Sequence, residues 1–144
     1  MKTTIKTVLF AALMGFVATA SSASFFDGKR PLLCSVYQLF ECDAPNDCQM
    51  VTPEQIGGVS HLNIDFKNKT ITRAGVESKQ TSTIDSVETI DSKLILSGIE
   101  DGEAEVRDGA GWTISIMDPE GTMVMAVAGD GFAVVGLGAC VPKP

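Results

Sequence analysis

The chain alternates between short apolar runs and clusters of turn-forming residues from residue 32 to residue 140, and this pattern constrains its fold more than any other feature. Residues 61–66 (HLNIDF) place an apolar side chain at every second position, and residues 112–117 (WTISIM) do the same. A period of two is typical of strands that bury one face. The pattern therefore predicts a protein built almost entirely of antiparallel strands.

Nine runs of this kind follow one another: 32–40, 48–52, 61–66, 70–73, 83–90, 93–99, 112–117, 122–128 and 132–139. One helical turn is predicted after the second run, with Thr52 as its cap, Pro53 at its first position and Gly57 at its end. The short connections suit antiparallel neighbours, and a meander of this length can hide its edges by closing on itself. We therefore predict an all-β fold, an antiparallel up-and-down meander of about eight strands that forms a closed barrel or a strongly curled sheet. A small β-sandwich is the alternative.

Residues 1–23 have the three parts of a secretory signal peptide. A short segment with two lysines precedes an apolar run, residues 8–18, and small residues follow it. Cleavage is predicted after Ala20 or after Ala23, with Ala23 preferred, and residues 24–144 then form a single β domain. The signal predicts export to the periplasm or beyond it.

The same segment argues against a stable membrane anchor. Its apolar run is about half of the ~20 residues that a helix needs to cross a bilayer. A lipid-anchored amino terminus would need a cysteine directly after the small residues, and the first cysteine is Cys34. We therefore expect the exported protein to be released.

The four cysteines predict two disulfides, because an even number of cysteines in an exported chain is normally oxidised. Three pairings are open to them. Cys42 and Cys48 flank a run of turn formers, DAPND, which favours a local bridge between them and leaves Cys34 to pair with Cys140. A metal site or a catalytic dithiol is not expected, because the chain has no CxxC spacing and only one histidine, His61.

Charge restricts the choice of partners. Without the two lysines of the signal, nine basic residues face 18 acidic ones, a formal charge of −9. A field of that sign repels nucleic acid and anionic lipid surfaces, so no nucleic-acid partner is predicted. The same charge suits a basic protein partner.

Residues that could carry chemistry are few, and the sequence predicts neither an enzyme nor a bound cofactor. His61 falls on the polar face of its strand, with no positioned partner nearby in sequence for general-base work. The acidic segment 100–105 lacks the ligand spacing of a calcium loop, so a solvated loop is predicted. Asn68, Lys69 and Thr70 match a glycosylation sequon, although a tight turn explains this asparagine equally well.

Large apolar side chains on the later strands are candidates for the interior. Trp112 shares one face with two isoleucines, and two methionines share a face with Val127. Tyr37 and Met117 are further candidates for lining an apolar cavity, but side chains of these types usually fill the interior of a small barrel. The predicted interior residues are Trp112, Ile114, Ile116, Met123 and Met125.

Three segments together resemble a family of small, uncharacterised exported proteins of Gram-negative bacteria. They are PLLCSVYQLFECDAPNDCQMVTPEQI, KLILSGIEDG and GWTISIMDPEGTMVMAVAGDGFAVVGLGAC. The shared features are a signal peptide, an LLC…EC…C…VTPE opening and a terminal GAC. The resemblance implies a location in the bacterial envelope, and it implies no activity and no functional residues.

Two classes of function follow from these features. The first is a non-catalytic exported protein that binds a small apolar ligand, with a protein-binding inhibitor of a basic, lysozyme-like hydrolase as the alternative. The inhibitor hypothesis rests on the acidic charge and on an analogy at the level of the fold. The second class, an enzyme, is disfavoured by the single histidine and the lack of catalytic motifs.

Overall fold

A computed structural model describes residues 24–44, 47–58, 60–75, 81–100 and 109–144 of the chain. Its elements in chain order are β1 (Leu32–Asp43), β2 (Gln49–Val51), a 3-10 helix (Pro53–Ile56), β3 (His61–Asp65), β4 (Thr70–Arg73), β5 (Thr81–Thr83), β6 (Ser86–Ile90), β7 (Lys93–Glu100), β8 (Ala110–Met117), β9 (Thr122–Gly129) and β10 (Phe132–Pro142). The predicted signal peptide lies outside the described residues.

All ten strands belong to one antiparallel sheet that is strongly curled. The order across the sheet is β5-β4-β3-β1-β10-β9-β8-β7-β6, with the short β2 beside β1. Apart from β2, and from β5 and β6 at the two edges, strands that follow one another in the chain are neighbours, and the first long strand pairs with the last. The predicted up-and-down meander is confirmed, as a single curled sheet and not as the two sheets of a sandwich.

One bent segment supplies both edges of the sheet. The sequence predicts a single run over 83–90, but the structure divides it into β5, which pairs with β4, and β6, which pairs with β7. At the bend the Ile84 N–H donates to the Lys69 carbonyl and the Asp85 N–H donates to the Ser97 carbonyl, both at 2.9 Å. Because the chain passes directly from one edge to the other, the sheet curls round an interior that the buried Ile84 side chain helps to fill.

A β-bulge in β1 changes which side chains face the interior. The register between β1 and β10 shifts at Tyr37, so that Val36 lies opposite Gly138 and Gln38 lies opposite Leu137. Tyr37 therefore points outward and is 67% exposed. A bulge places two residues of one strand against one of its partner, which shifts the alternation of the strand. Before the bulge, the side chains of β1 that face the interior are at even-numbered residues. After it, they are at odd-numbered residues such as Leu39 and Glu41.

The interior is filled most tightly at one end, which we call the closed end. Side chains there are almost completely buried, and they include Leu32, Cys34, Ile64, Leu94, Leu96, Ile116 and Met123. Gly138 makes room for this packing, because a Cβ there would overlap the Ser35 carbonyl, and Gly98, nearer the opposite end, makes room for the Trp112 ring in the same way. The opposite end, where β7 ends and β8 begins, is called the open end.

The Phe26 side chain covers the interior at the closed end. It precedes β1, is 4% exposed, and packs so closely on the turn before β9 that a Cβ at Gly121 would lie 2.7 Å from its ring. The Lys143 N–H donates to the Pro31 carbonyl at 2.8 Å, which holds the two ends of the described chain together. The neighbouring Phe25 is 51% exposed, with the Arg30 guanidinium 5.8 Å from its ring centre.

The two disulfides differ in what they join. Cys34 and Cys140 are directly opposite each other in β1 and β10, and their bridge is buried in the interior. The Cys42–Cys48 bridge spans six residues and clasps β1 to β2 near the surface. Two disulfides of this kind are typical of an oxidising compartment outside the cytoplasm.

We expect the two bridges to contribute unequally to stability. Replacing Cys34→Ala together with Cys140→Ala should lower the free energy of unfolding by up to about 5 kcal/mol, because the bridge closes a loop of 106 residues. The pair Cys42→Ala and Cys48→Ala should cost roughly 2 kcal/mol. Urea unfolding followed by the fluorescence of Trp112 measures both, and equal losses would contradict the expectation.

Phe26 and Phe25 form a matched pair for testing the closed end. Phe26→Ala should lower the free energy of unfolding by about 3–5 kcal/mol, because it leaves a cavity under the sheet. Phe25→Ala removes an exposed ring and a weak cation–π contact, so its cost should stay below about 1 kcal/mol. The same urea titration checks both, and a loss at Phe26 as small as that at Phe25 would show that the closed end does not depend on this side chain.

Candidate functional site

The interior is open toward the open end, where a cavity of about 250 Å³ lies against the inner face of the sheet. Its apolar lining comes from the 3-10 helix and from strands distant in sequence: Val36, Leu39, Ile56, Leu62, Ile71, Met125, Val127 and Val134. Four polar residues also line it, namely Thr72, Arg73, Ser82 and Glu100. A concave, mainly apolar space with a few polar groups is the usual form of a small-molecule site.

The 3-10 helix covers part of this cavity and is fixed by its own sequence. The Gln55 side chain accepts a hydrogen bond from the Thr52 N–H at 2.7 Å, which is half of a capping box. Gly57 ends the helix in the left-handed conformation, with φ 62°, and the Gly58 N–H donates to the Pro53 carbonyl at 2.7 Å. This geometry holds Ile56 over the inner face.

A second, smaller lobe of about 80 Å³ adjoins the first and extends to Trp112. Six residues line both lobes: Leu62, Ile71, Ser82, Glu100, Met125 and Val127. Trp112 is 7% exposed, and its Nε1–H is buried without an acceptor in the described part of the protein. Leaving a buried donor unpaired costs about 1–3 kcal/mol, so this group is an exception to the usual pairing of buried polar atoms.

The polar groups of the cavity come from three strands. Arg73 lies directly opposite Leu62 in the β3–β4 pair, and Ser82 lies opposite Ile71 in the β4–β5 pair. Glu100 is the last residue of β7. It lies an even number of residues from Leu94 and Leu96, so its side chain is on the same inward face of the strand. Arg73 and Glu100 thus place one positive and one negative group at the open end, while the deeper lining is apolar.

The predicted interior residues have two different environments. Ile116 and Met123 are buried in the filled part, whereas Trp112, Ile114 and the half-buried Met125 line the cavity. The sequence analysis favoured a filled interior for all five. Tyr37 and Met117, also considered as cavity residues, are 67% and 40% exposed on the outside.

Three residues that line the cavity are not predicted from the sequence. Leu39, Arg73 and Ser82 line the cavity, yet no motif marks them. The available signal is local alternation, which places Leu62 and Ile71 on inward faces. The bulge at Tyr37 reverses this alternation for the second half of β1, and only the paired strands show it.

Of the remaining candidate residues, Glu100 lines the cavity, whereas His61 and Asn68 do not. His61 is exposed at the start of β3, and within the described ranges no cluster of three or more His, Cys, Asp or Glu side chains could hold a metal ion. Of the acidic segment 100–105 only Glu100 is described. Asn68 lies in the β3–β4 turn, where its N–H and its Nδ2 both donate to the Asp65 carboxylate, at 3.0 and 2.7 Å. These hydrogen bonds hold the pKa of Asp65 below its ordinary value.

The outer face of the sheet is apolar in one region. The outward positions of β9 and β10 carry no charged side chain, and Val124 and Val135 are exposed there. Tyr37 and Met50 extend this apolar region beside β1 and line a hollow of about 230 Å³. Polar residues form a larger share of the lining of this hollow than of the interior cavity, with Gln38, Thr52 and Gln55 among them.

None of the helical structure among the described residues has the length and apolar character needed to span a membrane. No family model, curated protein or solved structure matches this chain. Its function must therefore be inferred from the cavity and the residues that line it.

Proposed function

We propose that this is an exported, non-catalytic protein that binds a small apolar ligand in the cavity of its curled sheet. The observation that carries the proposal is the apolar cavity at the open end, next to an interior that is tightly filled at the closed end. A protein that needed its interior only for stability would gain from filling this space, because burial of apolar surface contributes about 25 cal/mol per Å².

The size of the cavity limits the ligand. An apolar cavity of about 150 Å³ holds benzene, and pockets for drug-sized molecules begin near 300 Å³. The larger lobe, at about 250 Å³, suits a molecule of roughly ten non-hydrogen atoms. Arg73 and Glu100 at the open end can orient a polar group of such a ligand.

The export part of the proposal rests on three features. Residues 1–23 have the composition of a signal peptide. The two disulfides suit an oxidising compartment. The resemblance to small exported Gram-negative proteins points to the same location, and we propose the periplasm or the exterior as the place where the ligand is met.

The alternative function, inhibition of a basic hydrolase, is favoured by acidic residues at the open end. Glu41 and Asp43 occupy inward positions at the end of β1, and Glu100 occupies one at the end of β7. This hypothesis leaves the apolar cavity unexplained, so we place it second. Slower lysis of bacterial cell walls by a basic lysozyme in the presence of the protein would favour it.

A pair of substitutions on one strand tests ligand binding. Val127 faces the cavity, whereas Val124 on the same strand faces outward. Wild-type protein titrated with ethylbenzene should show a saturable shift of the indole N–H resonance of Trp112, the only tryptophan. Val127→Phe should weaken this binding at least tenfold, because the added ring fills the cavity. A tenfold loss of affinity corresponds to about 1.4 kcal/mol of binding free energy.

Val124→Phe is the matched control, because it adds the same ring to the same strand on the opposite face. It should bind ethylbenzene as the wild type does. Lack of saturable binding by the wild type would contradict the proposed function, and equal weakening by both variants would move the site away from the cavity.

Mass spectrometry of the protein extracted from the periplasm of an expressing bacterium tests export. The mature chain should begin at Ser21 or Ser24, and both products retain Phe26. Its mass should be four hydrogens below that of the fully reduced chain, because all four cysteines are paired. An intact residue 1–23 segment, or four cysteines that react with an alkylating reagent, would contradict the proposal.

A further inference from the structure

Four neighbouring strands, β1, β10, β9 and β8, present an outward surface without a charged side chain, which we call the uncharged face. Its residues are the odd-numbered ones of β8 and β10, the even-numbered ones of β9, and those of β1 that do not face the interior. Elsewhere in the described chain, charged side chains lie outside the strands, on the remaining strands, or inward at the open end, as Glu41 does. The charges of this acidic protein are thus distributed around the uncharged face and not on it.

Large apolar side chains are exposed together on the uncharged face. Met117, Val124, Val135 and Val141 are each more than a third exposed, and Tyr37 is two-thirds exposed. Single exposed apolar side chains are normal on a protein surface, whereas a contiguous apolar patch that extends over several strands marks an interaction site. This surface therefore has the composition of an interface.

We propose that the uncharged face is the interface of a symmetric dimer, in which the uncharged faces of two copies of this chain pack against each other. In a two-fold dimer the same surface of each copy meets the other. The exported chain has a net negative charge, so two copies repel each other wherever their charged surfaces approach. The uncharged face is the surface on which this repulsion is smallest. The proposal is independent of the ligand cavity, which lies on the inner side of the sheet.

The size of the uncharged face is sufficient for a dimer. β8 and β9 are each eight residues long, and β1 and β10 are longer. Four strands about 4.8 Å apart, with eight residues at about 3.4 Å each, cover about 520 Å² in projection. Two copies together contribute about 1,000 Å², which is the lower limit for a specific interface, and the relief of the side chains adds to this area.

Side-chain size along the uncharged face compensates for the curl of the sheet. The curl makes the face convex, so two copies meet first along the middle strands and a gap opens toward the flanks. Four of the nine outward side chains of β9 and β10 are alanines. The three most exposed large apolar side chains of the described chain lie at the flanks, namely Tyr37 on β1, Met50 on the adjoining β2 and Ile99 on β7 beside β8. Small residues in the middle and large ones at the flanks allow close contact across the whole width.

A lipid surface and a basic protein are poorer partners for this face. An anionic membrane repels a chain with a net negative charge. A basic protein is attracted to the acidic end of the sheet, where Glu41 and Glu100 lie, and gains no charge contact on an uncharged face. A second copy is the partner that needs no charge contact.

Sedimentation equilibrium of the purified, disulfide-bonded protein tests the proposal. The wild type should form a dimer with a Kd of about 10 µM or lower, as expected for an interface at the small end of the specific range. Raising the NaCl concentration from about 0.05 M to about 0.5 M should strengthen the dimer, because salt screens the repulsion between the acidic copies and the interface contains no ion pair to weaken. A dimer held by charged contacts would respond in the opposite direction.

Val124→Lys places a charge at the centre of the uncharged face, between Leu137 of β10 and Ser115 of β8. Each copy brings its lysine into the contact, so the Kd of the dimer should rise at least about 100-fold. The new lysine also lowers the net negative charge of the chain. Long-range repulsion between the copies therefore cannot explain a loss of the dimer.

Thr83→Lys is the matched control. Thr83 is also β-branched and exposed, but it lies on β5, at the edge of the sheet and away from the uncharged face. The substitution adds the same charge, and the Kd of the dimer should change by less than about threefold.

Three results would overturn the dimer. The first is a wild type that stays monomeric up to about 100 µM. The second is a dimer that salt weakens, or that Val124→Lys and Thr83→Lys weaken equally, since its interface then lies on another surface. The third is a monomer that cosediments with phosphatidylcholine vesicles, which would assign the uncharged face to a lipid surface. The salt dependence of the wild type tests the proposal even where Val124→Lys does not fold.

Discussion

The pairing of β1 with β10 is the constraint on which the rest of the structure depends. It joins the first long strand to the last, and the buried Cys34–Cys140 bridge fixes its register. All the remaining strand pairs of a meander join strands that are close in the chain. The β1–β10 pair therefore closes the longest loop and carries the largest entropic cost. The covalent bond removes much of that cost by restricting the unfolded chain.

The same arrangement explains why the interior is filled at one end and hollow at the other. Near the disulfide, Leu32, Ile116 and Met123 meet across the curled sheet, and Phe26 closes it from outside. At the open end, among the described residues, the 3-10 helix brings the Ile56 side chain over the inner face. Stability can therefore reside at the closed end while the open end remains available for a ligand, a division of roles that many binding proteins share.

Local pattern predicted most of the fold, because alternation and turn residues act over a few positions. It located strands such as residues 61–65 and 93–100, and it placed Trp112, Ile114 and Ile116 on one face. It missed the bend at Ile84 within the segment 83–90, because the bend is set by hydrogen bonds to Lys69 and Ser97, which are distant in sequence. It also missed the cavity, because no local pattern tells whether the space between distant strands is occupied.

Trp112 supports the proposal that the open end is more than an imperfectly packed core. A phenylalanine at this position would supply apolar area without an N–H group, yet the chain has its only tryptophan here, with Gly98 opposite it to admit the ring. The unpaired donor lowers the stability of the free protein. Locally unfavourable features of this kind concentrate at functional sites.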